Sequence, residues 1–369
     1  MNTVLTRKRA LGLAAAAISG TIILAGCAAN ESGDSTTDDS SSASLSGTLN
    51  GMGSSAQSTA ETAWIAGFQT ENPDVTVNYD PQGSGTGRQA FIAGSVDFAG
   101  SDAALSDDEL SGTFALCVDG TSAIDLPVYI SPIAIAYNVD GLDELKLDAE
   151  TIAGIFKGEI TEWDDPAIAA LNEDVTLPSE TINVIHRSDD SGTTQNFTEY
   201  LVANASDVWD ADASQTYPYS VGDAAKGTSG VADALSATAN SITYIDDSGV
   251  PDGIGKAELK VGDAYSTISA DGAAEVVAAS PLVDGRADND LAIAIDRTDT
   301  EENAWPLVLV SYLIACQQYQ DSDTATLVRS YIEYVAGSDA QAAGAEAAGS
   351  AALSDELSAT VEAAAATIE

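Results

Sequence analysis

An α/β fold is predicted by three observations. Apolar or β-branched runs that read as strands recur along the chain, each is followed by a Gly/Ser turn, and each turn leads into a helix-patterned segment. Such strands present polar loops at their carboxyl ends, where α/β proteins hold ligands. The densest case runs from Ile182 to Thr198. There a short apolar run reads as a buried strand, Arg187 leaves it as a forked cation, and Ser191, Gly192 and Thr193 open a helix. Free N–H groups and the positive dipole end at such a helix start attract negative charge.

In chain order, Leu45 to Asn50 reads as the first strand, followed by Gly51-Met52-Gly53-Ser54-Ser55 and a helix carrying Trp64 and Phe68 on one face. Val75, Val77 and Tyr79 alternate as a half-buried strand, and Gly83-Ser84-Gly85-Thr86-Gly87 turns into a helix with Phe91 and Ile92. Val96 to Gly100 is a third strand, with Ser101 and Asp102 at its end. Ile130 to Tyr137 reads as a strand, Ile152 to Phe156 and Pro166 to Leu171 as short helices, and Ile182 to Ile185 as the strand entering the Arg187 loop. Gly227-Thr228-Ser229-Gly230 opens a helix through Val231 and Leu235, and Ile242 to Ile245 is a further strand. Leu291 to Ile295 is apolar, Trp305 to Cys316 is expected as a long apolar helix, and Ala-rich helices run from Ser338 onward.

Arg7, Lys8 and Arg9 precede an apolar run from Ala10 to Leu24 that is too short for a spanning helix and suits a secretory signal over residues 1–26. It ends in Leu24-Ala25-Gly26-Cys27, which resembles the lipobox of bacterial lipoproteins, whose cysteine is lipidated and becomes the mature N-terminus; the other reading is an ordinary small-residue cleavage site. Residues 27–44 lack aromatics and are expected as a disordered tether, lipidated at Cys27, because they cannot bury enough apolar surface to order themselves. The remainder suffices for two domains with cores of their own.

With Cys27 given to lipid, Cys117 and Cys316 remain, and an even remainder outside the cytoplasm suggests one disulfide between distant parts of the chain. Two separate buried thiols are the alternative, since sequence does not give a Cα separation. No Cys/His spacing suits zinc, and no cofactor is expected. Lys and Arg total 13 against 58 Asp and Glu, a net charge of −45, which becomes −48 when Arg7, Lys8 and Arg9 leave with the signal. Nucleic acid is therefore excluded as a partner. The field is screened within ~8 Å at physiological salt, so local dipoles decide whether a small anion binds. The acidity reads as a solvated surface.

Gly51-Met52-Gly53-Ser54-Ser55, Gly83-Ser84-Gly85-Thr86-Gly87, Val96-Asp97-Phe98-Ala99-Gly100-Ser101-Asp102, Ile155-Phe156-Lys157-Gly158-Glu159-Ile160-Thr161-Glu162-Trp163 and His186-Arg187-Ser188-Asp189-Asp190-Ser191-Gly192-Thr193-Thr194 together resemble the phosphate-binding subunit of bacterial phosphate ABC transporters. The likeness covers the mature chain in order. It implies an α/β, two-lobed periplasmic-binding-protein-like (type II) fold with the ligand in the interlobe cleft. The lobes would be residues 45–131 plus 293–369 and residues 132–292, which puts Cys117 and Cys316 in the same lobe. The resemblance further implies capture of inorganic phosphate outside the cell membrane, delivery to the permease and ATPase subunits of a phosphate ABC transporter, and attachment to the membrane through the lipid. The implied ligand contacts are Ser55, Ser84, Asp102, Arg187, Asp189, Ser191, Gly192 and Thr193. Ala56 departs from the family, which often has an aromatic there.

The chemistry of that set fits its implied ligand. Phosphate at neutral pH carries at least one proton, so a tight site needs many donors and one acceptor. Ser55, Ser84, Ser191 and Thr193 bring hydroxyls, Arg187 a bidentate charge, and Asp102 a carboxylate that repels an anion unless it accepts the ligand's own hydrogen. Asp189 is expected to hold Arg187 in place. Other readings stand beside these. Asp102 and Ser191 suit helix caps, Arg88 and Arg286 read as surface or hinge residues, and His186 as a locally packed ring. Another oxyanion, such as sulfate, molybdate or a phosphonate, would use the same devices. A hydrolase with Ser191 as nucleophile and His186 as base lacks both a Gly-x-Ser-x-Gly elbow and a metal cluster. A purely structural surface lipoprotein leaves the converging polar loops unexplained.

Overall fold

Strand and helix segments alternate from the start of the structure, a computed structural model that describes residues 44–301 and 303–369. The secretory signal, Cys27 and the tether up to residue 43 lie outside the described residues. In order, the elements are β1 (Gly47–Gly53), α1 (Ser58–Glu71), β2 (Val75–Asp80), α2 (Ser84–Ile92), β3 (Phe98–Ser101), α3 (Asp107–Leu110), β4 (Ala123–Asn138), β5 (Lys146–Leu147), α4 (Ala149–Lys157) and α5 (Pro166–Leu171). They continue with β6 (Asn183–Arg187), α6 (Gly192–Asn204), β7 (Asp223–Ala225), α7 (Gly227–Ala237), β8 (Ser241–Asp246), β9 (Gly255–Lys256), β10 (Glu258–Val261), β11 (Ala264–Ser266), α8 (Ala270–Ala279), β12 (Val308–Cys316), α9 (Ser322–Ala336), α10 (Ser338–Ala348) and α11 (Asp355–Ala365).

The main sheet has the order β2-β1-β3-β12-β4-β8-β6-β7, with β9 paired to β4. β1 runs parallel to β2 and β3, and β6 parallel to β7 and β8, so two parallel groups flank the antiparallel pair β4 and β12. β4 ties the groups together: Ala123 to Pro132 pairs with β12, and Ile133 to Asn138 with β8. All but the last residue of β4 are buried, the pattern of a strand covered on both faces. β12 pairs with β3 and β4, and its register slips between Ser311 and Tyr312, leaving Val128 of β4 as the extra residue beside Pro127, which has no N–H for a ladder.

The segment from Trp305 to Cys316 is not a helix. Trp305 to Leu307 is irregular and Val308 to Cys316 is the strand β12, buried at all nine positions. An apolar run without 3.6-residue periodicity is compatible with either element, and here burial between two neighbouring strands decides it. The first strand also starts and ends later than expected, at Gly47 and Gly53. Gly53 brings β1 against β3 so tightly that a Cβ there would lie 1.8 Å from the Gly100 carbonyl oxygen.

Cys117 and Cys316 form a disulfide across 199 residues, which settles the alternative of two free thiols. Trp64 packs from α1 against α10 and donates its indole N–H to the Ala340 carbonyl at 2.9 Å, so the C-terminal helices close over the β1 side of the sheet. Among the described residues no helix is long and apolar enough to cross a membrane.

Candidate functional site

Four loops at the carboxyl ends of parallel strands converge. β1 delivers Ser54 and Ser55, the β2 turn delivers Ser84 at the start of α2, β3 delivers Asp102, and β6 delivers Arg187 and then Ser191 to Thr193. The α6 start is built by Ser191, whose extended backbone and side chain cap the helix by accepting Thr194 N–H at 3.1 Å. This capping leaves the N–H groups of Gly192 and Thr193, which have no intrahelical partner, at the positive end of a helix of 13 residues.

Arg187 is buried and gripped by Asp189: Nε donates to Oδ1 at 2.8 Å, and Nη2 donates to Oδ2. Burial by itself would raise the Asp189 carboxyl. The hydrogen bonds and charge of Arg187, with the Gly227 N–H at 3.0 Å, outweigh it and hold the group below the usual carboxylate range. The remaining arm of the fork, Nη1, donates to Thr193 Oγ1 at 3.5 Å.

Asp102 faces this cation with Thr193 between them, since Thr193 Oγ1 donates to Asp102 Oδ2 at 3.3 Å. Ser54 and Ser311 both donate to Oδ1. The Asp102 backbone is held as firmly: its N–H goes to Ser84 Oγ at 3.1 Å and its carbonyl accepts Asn196 Nδ2 at 2.7 Å. Gly192 fits against it with so little room that a Cβ would lie 2.6 Å from Asp102 Cβ and 2.7 Å from Ser84 Oγ. Asp102 does not cap a helix, because the next one, α3, starts at Asp107 and is capped by Ser106.

Of the eight residues expected at the site, Asp102, Ser84, Gly192, Thr193, Arg187 and Asp189 form one connected cluster, with Ser191 behind it as the cap of α6. Ser55 stands one step aside, its Oγ 3.1 Å from Thr228 Oγ1 and accepting Thr228 N–H at 3.0 Å. Ser54, Asn196, Thr228 and Ser311 were not foreseen. Ser54 sits in the same motif as Ser55, and Ser311 lies in the run misread as a helix.

Arg88 does not lie on the surface. It is buried and pairs with Glu109 at 3.0 Å and with Ser101 Oγ at 2.9 Å. Arg286 is also largely buried, between Asp125 and Asp290. Both line a cavity of about 800 Å³ that reaches Asp102 and also includes Glu109, Arg297 and Tyr312. His186 stacks on Tyr217 with ring centroids 4.0 Å apart and holds the Arg187 carbonyl through Nδ1 at 2.9 Å. Its role is local. No group of three His, Cys, Asp or Glu suited to a metal exists among the described residues.

Strand-end loops thus converge around one buried cation and one buried carboxylate, and a family model described as "PBP superfamily domain" matches residues 38–339. Phosphate-binding protein PstS 3 of Mycobacterium tuberculosis is 37% identical over 295 residues, 79% of this chain and 79% of its own. A solved high-affinity periplasmic phosphate-binding protein bound with phosphate superposes with a TM-score of 0.70 at 24% identity, covering 86% of this chain and 93% of that one. A putative phosphate ABC transporter substrate-binding protein from Clostridium perfringens, with bound phosphate, gives 0.59 at 16% identity, covering 82% and 98%. The chain belongs to the PBP superfamily and, within it, to the PstS family of phosphate-binding proteins.

Proposed function

We propose that this protein captures inorganic phosphate outside the cell membrane and hands it to the permease of an ABC transporter. The single observation that carries this reading is the pairing, through Thr193, of a buried guanidinium with a buried carboxylate acceptor. A site for a fully deprotonated anion gains nothing from such a carboxylate; a site for a protonated one uses it. Sulfate and molybdate are disfavoured on that ground.

The ligand contacts in this reading are Ser55, Ser84, Asp102, Arg187, Asp189, Ser191, Gly192 and Thr193. Arg187, the α6 N–H groups and the Ser55, Ser84 and Ser191 hydroxyls donate; Asp102 accepts; Asp189 orients the fork. Residues 45–131 with 293–369 and residues 132–292 act as two lobes that close on the anion, hinged where β4 changes partner between Pro132 and Ile133. Lipid on Cys27 holds the mature protein at the extracytoplasmic face. The protein binds without turnover, because His186 is committed to Tyr217 and the Arg187 carbonyl and, among the described residues, no base is hydrogen-bonded to the Ser191 hydroxyl.

Titration with phosphate, sulfate and a phosphate monoester tests the reading. Tight 1:1 binding of phosphate, weak sulfate and no phosphate released from the ester are expected. Release of phosphate with turnover would make the protein an enzyme. Labelling with a radioactive fatty acid, with Cys27→Ala as control, tests the anchor; equal labelling of both proteins would rule it out.

A further inference from the structure

Hydrogen-bond directions around Asp102 are set from outside the carboxylate. Ser54 Oγ accepts the N–H of Ala56 at 3.1 Å and of Gln57 at 3.4 Å. A backbone N–H can only donate, so the Ser54 hydrogen is left to point at Asp102 Oδ1. The same logic holds across the site. Thr193 Oγ1 receives a guanidinium N–H of Arg187, which cannot accept, and turns its hydrogen to Oδ2. Ser311 reaches Oδ1 from the middle of β12, at the residue where the register slips against β4. Among the described residues no cation pairs directly with Asp102; hydroxyls do the work of a counter-charge. An ionised carboxylate offers about four lone-pair positions. Three are taken by these hydroxyls, which leaves one on Oδ2, the oxygen that Thr193 also reaches.

We infer that Ser54 and Ser311 are positioning residues that lock Asp102 as a hydrogen-bond acceptor, so that the site admits oxyanions that bring a proton and rejects those that do not. This rests on the phosphate reading of the site and adds the source of its selectivity. Asp102 alone would discriminate poorly: a carboxyl free to turn can swing its acceptor oxygens away from sulfate. With Oδ1 held by two donors the carboxylate cannot turn, so Oδ2 stays presented to the ligand as an acceptor and the ligand supplies the hydrogen. Ser311 fits this role because Asp102 is the one partner its hydroxyl has among the described residues, so removing it disturbs little else.

The test is calorimetric titration with inorganic phosphate and with sulfate, at one pH and salt, on the wild type and on Ser311→Ala, Ser54→Ala and Ser311→Thr. The phosphate-to-sulfate affinity ratio is expected to fall about fivefold or more in each alanine variant and to stay near the wild-type value in Ser311→Thr, which keeps the hydroxyl. A merely structural role would weaken both anions in parallel and leave the ratio alone, and an unchanged ratio in both alanine variants overturns the inference. So does a ratio lost equally in Ser311→Thr, which would trace the effect to packing. Failure of the wild type to bind phosphate would instead remove the phosphate reading, and this inference with it.

Discussion

Asp189 holds Arg187 by both carboxylate oxygens, and the two residues lie only two apart on the loop leaving β6. The guanidinium is thereby spent on one edge against a fixed anion, with Nη1 left toward Thr193. Preorganisation of this kind reduces the ordering cost of binding.

Arg187→Ala is expected to weaken phosphate binding by about 3–5 kcal/mol, because it removes a buried cation and leaves Asp189 uncompensated beside an anion. Arg187→Lys should also bind more weakly, since a point charge cannot reproduce the fork. Calorimetry on both variants checks this, and wild-type affinity in the alanine variant would place the site elsewhere.

Gly192→Ala should cost affinity without unfolding the protein. The added methyl would meet Asp102 Cβ at 2.6 Å and Ser84 Oγ at 2.7 Å, so the α6 start has to retreat from the β3 loop. A loss of about tenfold to a hundredfold, some 1.4–2.8 kcal/mol, is expected in titration, with a melting temperature near that of the wild type.

Much of this site was legible in the sequence because its parts are local. Gly and Ser next to strand ends, and an arginine followed by a helix-start signature, are chain-neighbour patterns. The α6 cap and the Arg187–Asp189 pair needed no tertiary knowledge. What escaped was long-range. Ser311 meets Asp102 across 209 residues, through a strand whose apolar run carries no period to tell it from a buried helix. The burial of Arg88 and Arg286 was not legible because a charged residue defaults to the surface, and only the fold supplies the half-buried Glu109 and the buried Asp125 and Asp290 as their partners.

The pH dependence of stability should have an alkaline slope. Glu61, Asp125 and Asp246 are pushed up to about 7, about 8 and about 7, in each case chiefly by burial, with the Asp290 charge adding at Asp125. Their folded values exceed their unfolded ones, so this stabilisation is fully present below about pH 4 and is lost as pH rises through 7 to 8. Ligand-free protein should melt several degrees lower at about pH 8.5 than at about pH 5.5. Asp246→Asn should flatten the slope. A melting temperature that rises steadily with pH would contradict this assignment.

Breaking the disulfide between Cys117 and Cys316 should lower stability more than it lowers binding. Closing 199 residues is worth up to about 5 kcal/mol in the chain-entropy picture. Denaturant unfolding with and without reductant measures it, and equal midpoints would show that the bond contributes nothing.

The central claim is that Asp102 selects a proton-bearing anion, and paired calorimetry of phosphate and sulfate on wild type and Asp102→Asn tests it most directly. Asparagine replaces one acceptor oxygen with a donor, so the phosphate-to-sulfate affinity ratio should fall at least about tenfold, or ~1.4 kcal/mol. An unchanged ratio, with both proteins folded, would mean that Asp102 only supports the loops around it and that selectivity arises elsewhere.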